Sequence, residues 1–189
     1  MRLPRHLPNL LSLFRILLVP LLVVVLLTKF EGREFVGLGV FLLASLTDFL
    51  DGFIARRFGM ETRLGRLLDP AADKILTAAA FISLVELNPG LVPAWMVVAI
   101  IARELAVDAL RSVAAAERVV IGASFAGKIK TTSQIISISL LIFYNQLGEF
   151  SHLAPLSLWL SLLVTIYSGI EYFVRYGRLI LADEVEPAA

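Results

Sequence analysis

The sequence contains no cysteine and few charged residues. The absence of cysteine excludes disulfide bonds and thiolate chemistry. Charged residues make up 17% of the chain, whereas a soluble domain usually has about 25%. The formal net charge is only +1, so bulk electrostatics give no reason to expect a nucleic-acid partner, and we expect none. The shortage of charge favours an environment less polar than water.

Long apolar runs take the place of charge. Hydrophobic residues make up 58% of the chain, and the mean hydropathy is +0.84. Several segments approach the roughly 20 apolar residues with which a helix crosses a bilayer. These segments are residues 8–28, 35–57, 69–88, 91–114, 125–146 and 154–177. The pattern predicts an all-α, polytopic integral membrane protein with six transmembrane helices.

No linker divides the chain, so we predict a single six-helix transmembrane domain over residues 1–180. Its first residues, RLPRHLPN, are expected to lie along the membrane surface as a short juxtamembrane segment. The apolar stretch after them resembles a signal peptide but lacks a small-residue cleavage site, so we expect a retained first helix. Residues 181–189 form an acidic tail that is expected to be disordered.

The basic residues predict the orientation of the chain. With six spans, both termini lie on the same side of the membrane. Of the 17 Lys and Arg residues, only Lys29 and Arg33 fall in loops on the opposite side. The positive-inside rule therefore places both termini in the cytoplasm, in a multi-pass protein of the cell (inner) membrane.

Four aspartates lie in the otherwise apolar stretch of residues 44–76, near the predicted cytoplasmic face. They are Asp48, Asp51, Asp69 and Asp73. A carboxylate inside a membrane helix costs several kcal/mol unless it is compensated. One interpretation is that these aspartates form structural ion pairs with nearby basic residues. The candidate partners are Arg56, Arg57, Arg63, Arg66 and Lys74.

The spacing of the aspartates favours a metal site instead. Asp48 and Asp51 share one face of the second helix, and Asp69 and Asp73 share one face of the third. A loop of about a dozen residues turns the chain back, so the two pairs can face each other. Divalent cations relieve the repulsion among converging carboxylates, whose oxygens suit Mg²⁺ or Mn²⁺. Four carboxylates fit two such ions better than one, an arrangement typical of phosphoryl-group chemistry.

Small residues and an arginine accompany the aspartates. Gly52, Ala55 and Gly65 leave room for a phosphate ester to approach the helices, although small residues also serve close helix packing in membranes. Arg56 offers several donors to a phosphate, or it extends its charged end to the membrane surface. Both interpretations stay open for each residue taken alone.

The segment DFLDGFIARRFGMETRLGRLLDPAAD fits the pattern D-x-x-D-G-x-x-A-R, eight residues, then G-x-x-x-D-x-x-x-D. This pattern resembles that of the CDP-alcohol phosphotransferase family of integral membrane enzymes. The resemblance implies that the four aspartates hold two metal ions, that Asp73 is also the general base, and that Gly52 and Arg56 help to hold the CDP moiety. It also implies six transmembrane helices, a homodimer, and an active site open to the cytoplasm. Asn9 and Thr62 are further candidates for contact with the CDP end.

A second basic cluster, residues 102–134, is expected to select the acceptor. Arg103 and Arg111 share a stripe on the fourth helix, and Lys128 lies at the start of the fifth. Such cations suit a phosphorylated acceptor, although they also serve as anchors at the cytoplasmic surface. Arg103, Arg111 and Lys128 are therefore the candidates for binding the acceptor phosphate.

Three other stretches narrow the resemblance within the family. PNLLSLFRILLVP, RELAVDALRS and GKIKTTSQ are similar to its phosphatidylglycerophosphate synthase branch, and with the central motif they extend over about residues 8–134. Ser12 stands where threonine is expected and keeps the hydroxyl. The resemblance implies transfer of a phosphatidyl group from CDP-diacylglycerol to sn-glycerol 3-phosphate, with CMP as the product.

Two alternatives are compatible with the same residues. A member of the family with another acceptor, such as inositol phosphate, or phosphatidylglycerol as in cardiolipin synthesis, would share the central motif. A cation-coupled membrane transporter would also need acidic residues within its helices. Transporters often show internal repeats and broken helices, and neither is visible in this sequence.

Overall fold

Six α-helices account for most of the chain in the structure, a computed structural model that describes residues 7–58, 63–116 and 125–181. The helices are α1 (Leu7–Leu27), α2 (Arg33–Phe58), α3 (Arg63–Leu87), α4 (Ala94–Ala116), α5 (Phe125–Ile142) and α6 (Leu153–Leu181). Two short 3₁₀ turns, Tyr144–Gln146 and Gly148–His152, connect α5 to α6. The described ranges contain no strand, so the all-α prediction is confirmed.

The helices differ from the predicted apolar segments mainly at their ends. The third helix begins at Arg63, six residues before the predicted start at residue 69. The connection between α2 and α3 is therefore limited to residues 59–62, and the expected loop of about a dozen residues is wrong. The charged residues around Arg63 look like a loop in a hydropathy pattern, but Arg and Leu are good helix formers, so the helix continues through them.

Two helical segments in the described part of the chain are long and apolar enough to cross a membrane by length and composition. They are Leu10–Leu27 and Gly148–Gly177. Among the other described helices, α2, α3 and α4 carry more charge, and α5 carries two lysines together with several Ser, Thr and Gln residues. The structure thus supports an all-helical protein with apolar helices, and the six-span topology stays a prediction.

The apolar core occupies one end of the helix bundle. Leu22, Phe41, Phe81, Met96 and Leu158 are almost completely buried there. They come from the second half of α1, the first half of α2, the second half of α3 and the first halves of α4 and α6. Most of the buried polar residues lie towards the other end of these helices and of α5, which is the end that contains the aspartate motif. They include Ser12, Arg15, Thr47, Glu104, Lys130, Gln134, Thr165 and Ser168.

The outer surface of the bundle is strongly apolar. Leu17, Val98, Leu163 and Ile170 each expose about 60% of their area, and they belong to α1, α4 and α6. So many large apolar side chains at the surface are unusual on a monomeric soluble protein and typical of contact with another apolar phase. The fold therefore has a polar interior at one end and an apolar exterior.

Candidate active site

The aspartate motif lies on two consecutive helices that contact each other. Asp48 and Asp51 belong to α2, whereas Asp69 and Asp73 belong to α3. The structure describes the side chain of Asp73, which is half-buried. Several other predicted site positions fall outside the described side chains, and Thr62 falls outside the described residues altogether. These side chains are those of Asn9, Asp48, Asp51, Gly52, Ala55, Arg56, Gly65 and Asp69.

Lys74, the residue directly after Asp73, forms an ion pair and hydrogen bond with Asp108 of α4. Both side chains are partly exposed, with 23% and 35% of their area accessible. The contact links α3 to α4 beside the aspartate motif. Lys74 was one of the candidate ion-pair partners for the motif. Its partner Asp108 lies on another helix.

A buried ionic cluster joins α4, α5 and α6. Lys130 Nζ donates a hydrogen bond to the Glu104 carboxylate at 2.6 Å, and both residues are 8% exposed. Gln134 Nε2 donates to Glu104 Oε1 at 3.2 Å and to Thr165 Oγ1 at 3.3 Å. Because a buried charge is costly unless it is paired and hydrogen-bonded, these contacts require the three helices to keep a defined arrangement. Glu104 is the centre of this cluster.

Arg103 and Arg111 belong to α4, and both side chains contact the same part of α6. Arg103 Nη2 donates to Ser168 Oγ at 2.8 Å, and Arg111 Nη2 donates to the Tyr172 hydroxyl at 2.5 Å. The two guanidinium carbons lie 5.9 Å and 4.9 Å from the centroid of the Tyr172 ring, within the range of cation–π contacts. Two of the three predicted acceptor cations therefore share one aromatic ring.

Lys128, the third predicted acceptor cation, has a different position from the arginines. Its side chain is exposed on α5, and Lys130 is the lysine of this helix that points into the bundle. A separation of two positions corresponds to a rotation of about 200° around a helix, so the two lysines lie on nearly opposite faces. The sequence analysis missed Lys130, although its stripe continues with the polar residues Gln134 and Ser137, both buried. That polar stripe was the available signal.

Arg15 is a second residue that the sequence analysis missed. Its side chain is 0% exposed, and it lies in α1, which packs closely against α3. It is the only charged residue of the helix Leu7–Leu27. A single charge in an otherwise apolar helix is costly in a membrane and commonly functional, and that isolation was a usable signal.

Comparison with known proteins adds a family context to this geometry. Residues 5–167 match the profile of the CDP-alcohol phosphatidyltransferases. The chain is 42% identical to a protein of Bacillus subtilis over 90% of this chain and 94% of the relative. It is 35% identical to one of Haemophilus influenzae (93% and 96% covered) and 33% identical to one of Rickettsia felis (92% and 96% covered). All three relatives carry the name CDP-diacylglycerol–glycerol-3-phosphate 3-phosphatidyltransferase.

Proposed function

This chain belongs to the CDP-alcohol phosphatidyltransferase family, and we propose that it transfers a phosphatidyl group from CDP-diacylglycerol to sn-glycerol 3-phosphate, with release of CMP. The acceptor assignment depends mainly on one observation, the pair of guanidinium groups of Arg103 and Arg111 that α6 holds together. A phosphate group on the acceptor suits two adjacent cations, whereas a neutral alcohol does not require them. The names of the relatives support the same assignment.

The residues at the motif fit a pair of divalent ions. The donor set consists of carboxylates on two contacting helices, and Lys74 is paired with Asp108. Oxygen donors of this type suit Mg²⁺ or Mn²⁺. The ions would be held by Asp48, Asp51, Asp69 and Asp73. When bound, they supply positive charge that stabilises the pyrophosphate of the donor and the phosphate of the departing CMP.

The chain's own residues complete the proposed reaction. Asp73 accepts the proton of the glycerol 3-phosphate hydroxyl, whose oxygen then forms a bond to the β-phosphorus of CDP-diacylglycerol. The bond between that phosphorus and the oxygen bridging to CMP breaks, and CMP leaves with the electron pair. Gly52 and Arg56 hold the CDP moiety, Ala55 and Gly65 leave room for it, and Asn9 and Thr62 contact its far end.

Arg103 and Arg111 bind the phosphate of the acceptor in this proposal. Their guanidinium groups are held against α6, at the same end of the bundle as Asp73. Lys128 remains a third candidate, and its exposed position on α5 is compatible with an outer contact to the incoming acceptor. Hydrogen bonds between charged partners are about twice as strong as neutral ones, so such contacts give the site a preference for phosphorylated alcohols.

The proposed setting of the reaction is the cell membrane, which is the cytoplasmic or inner membrane. All six helices cross it, both termini and the active site face the cytoplasm, and two copies of the chain form a homodimer. The apolar exterior of α1, α4 and α6 supports contact with lipid tails. The distribution of Lys and Arg supports the orientation. The acyl chains of the donor stay in the bilayer while its headgroup reaches the aspartates.

A substrate-competition assay tests this function. The purified chain in lipid nanodiscs is given CDP-diacylglycerol, Mg²⁺ and labelled glycerol 3-phosphate. We expect labelled lipid product and CMP in equal amounts, loss of turnover with EDTA, and recovery with Mg²⁺ or Mn²⁺. Unlabelled inositol phosphate or phosphatidylglycerol should not compete. Faster CMP release with either of those acceptors than with glycerol 3-phosphate would contradict the assignment.

A further inference from the structure

The face of α6 that meets α4 contains three residues in contact with the two arginines. We infer that Ser168, Gly169 and Tyr172, which we call the α6 seat, are positioning residues that hold Arg103 and Arg111 ready for the acceptor phosphate. This inference rests on the proposed function, because it assigns the seat a role at that same site. The seat residues follow residue 167, the last residue that matches the family profile.

Tyr172 contacts both arginines. Its side chain is 2% exposed, its hydroxyl accepts a hydrogen bond from Arg111 Nη2, and its ring faces both guanidinium groups. The negative face of an aromatic ring attracts cations, and this attraction is stronger where water is excluded. One ring therefore offsets part of the repulsion between two neighbouring positive charges.

Gly169 allows Arg103 to lie directly across the α6 backbone. A Cβ atom at this position would be 2.9 Å from Cγ and 3.3 Å from Nε of Arg103. Such contacts are too close, so any larger residue would displace the arginine side chain. Ser168, the preceding residue, is fully buried and accepts the hydrogen bond from Arg103 Nη2. The α6 seat thus combines space for the aliphatic part of the Arg103 side chain with a hydrogen-bond acceptor for its guanidinium group.

The contacts with α6 use Nη2 of each arginine. Arg103 Nη1 also donates a hydrogen bond of 3.4 Å to Glu104 Oε1 of the same helix, and Nε of each arginine is buried without a hydrogen-bond partner among the described residues. A free arginine side chain loses considerable rotamer entropy when it binds a ligand. Because the seat already orders both side chains, a phosphate that binds them does not have to order them again. A guanidinium presents its remaining donors in a fixed plane, which matches phosphate oxygens.

Substitutions at Tyr172 separate the two contacts of the seat. Tyr172→Phe keeps the ring and removes the hydroxyl, so the KM for glycerol 3-phosphate should rise about 3- to 10-fold. Tyr172→Leu removes both contacts and should raise it further, to more than about 10-fold. Gly169→Ala should raise the same KM because its Cβ displaces Arg103. In all three variants the KM for CDP-diacylglycerol should stay within about twofold of the original value.

Two residues of the same helix provide matched controls. Tyr167 is 67% exposed, so Tyr167→Phe makes the same chemical change away from the arginines. Ser168→Ala removes the acceptor for Arg103 Nη2 and should also raise the KM for glycerol 3-phosphate. Ser161 is fully buried, and its hydroxyl has no hydrogen-bond partner in the described part of the chain, so Ser161→Ala is the control for Ser168→Ala. Neither control should change either KM. The double variant Arg111→Gln/Tyr172→Phe should match Arg111→Gln alone, since Tyr172 acts through Arg111.

The outcomes distinguish the seat from the site that it serves. If Arg111→Gln raises the KM for glycerol 3-phosphate but Tyr172→Phe does not, the positioning role of the α6 seat is wrong, whereas the proposed acceptor site is supported. A merely structural role for Tyr172 predicts a lower melting temperature with both KM values unchanged, and that result also overturns the seat. If Arg111→Gln itself leaves the KM unchanged, the proposed acceptor site is wrong.

Discussion

The buried carboxylate of Glu104 has one charged partner in its own helix, Arg103 at 3.4 Å, and its shorter contacts reach a neighbouring helix. Glu104 of α4 is hydrogen-bonded to Lys130 and Gln134 of α5, which are 26 and 30 positions away along the chain. Pairing of this kind contributes less to stability than to specificity, because the cost of removing both charges from water offsets most of their attraction. Removal of one partner is different, since it leaves the other charge buried and uncompensated.

The first prediction concerns the loss of the Glu104 carboxylate. Glu104→Gln leaves the Lys130 ammonium buried without its carboxylate and removes the negative charge beside Arg103, so the free energy of unfolding should fall by about 3–5 kcal/mol. Thermal unfolding of the protein in nanodiscs measures the change. Glu149, an exposed residue in the turn before α6, provides the control Glu149→Gln, which should unfold at the original temperature. The double variant Glu104→Gln/Lys130→Met should recover part of the loss, and equal melting temperatures for all four proteins would contradict the prediction.

At the scale of helices, the contact between Lys74 and Asp108 joins α3 to α4 next to the aspartate motif. A partly exposed ion pair contributes little to stability, typically below about 1 kcal/mol. Its position suggests another role, because Lys74 directly follows Asp73 in α3. An ammonium group held by Asp108 is less available to compete with metal ions for the carboxylates of the motif.

The second prediction tests this role of the α3–α4 contact. Asp108→Asn releases the Lys74 ammonium, which then repels metal ions near the aspartates. The Mg²⁺ concentration for half-maximal activity should therefore rise about 3- to 10-fold. The melting temperature should change little. The variant Asp108→Asn/Lys74→Met removes the released charge and should restore the original Mg²⁺ requirement. An unchanged requirement in Asp108→Asn would mean that the contact serves only to join the two helices.

At the scale of the whole molecule, the bundle has two different ends. One end contains the apolar core, together with an edge-to-face pair formed by Trp95 and Trp159, whose side chains are about half-exposed. The other end contains the buried polar cluster and the aspartate motif. Tryptophan is common at the boundary between lipid tails and headgroups, so this pair fits a membrane surface on the side opposite the motif.

The third prediction concerns the orientation of the chain. Because the sequence has no cysteine, a single introduced cysteine is the one thiol of the purified chain that a maleimide can label. A membrane-impermeant maleimide added to intact cells should label Lys29→Cys and should label Glu186→Cys only after the cells are opened. The original chain, without cysteine, is the control for both. Labelling of Glu186→Cys in intact cells would reverse the proposed orientation of the termini.

Much of the fold follows from local features that the sequence displays directly. A run of apolar residues bounded by Gly, Pro or Asn predicts a helix wherever it occurs, and each of the six predicted segments contains one of the observed helices or most of it. The spacing of the aspartates within α2 and α3 is also local, since residues three or four apart share a helix face in any context. The family was identified from the sequence alone because its motif is a set of residues at fixed spacing within residues 48–73.

The tertiary structure decided which polar groups meet. The polar stripe of Lys130, Gln134 and Ser137 marks one face of α5, but the burial of that face depends on how α5 packs against α4 and α6. The partners of Arg103 and Arg111 lie 65 and 61 positions later in the chain, on a helix with no charge pattern that pairs them. Contacts between helices depend on how their faces pack, and that packing is settled by the shape of the whole bundle rather than by any one segment.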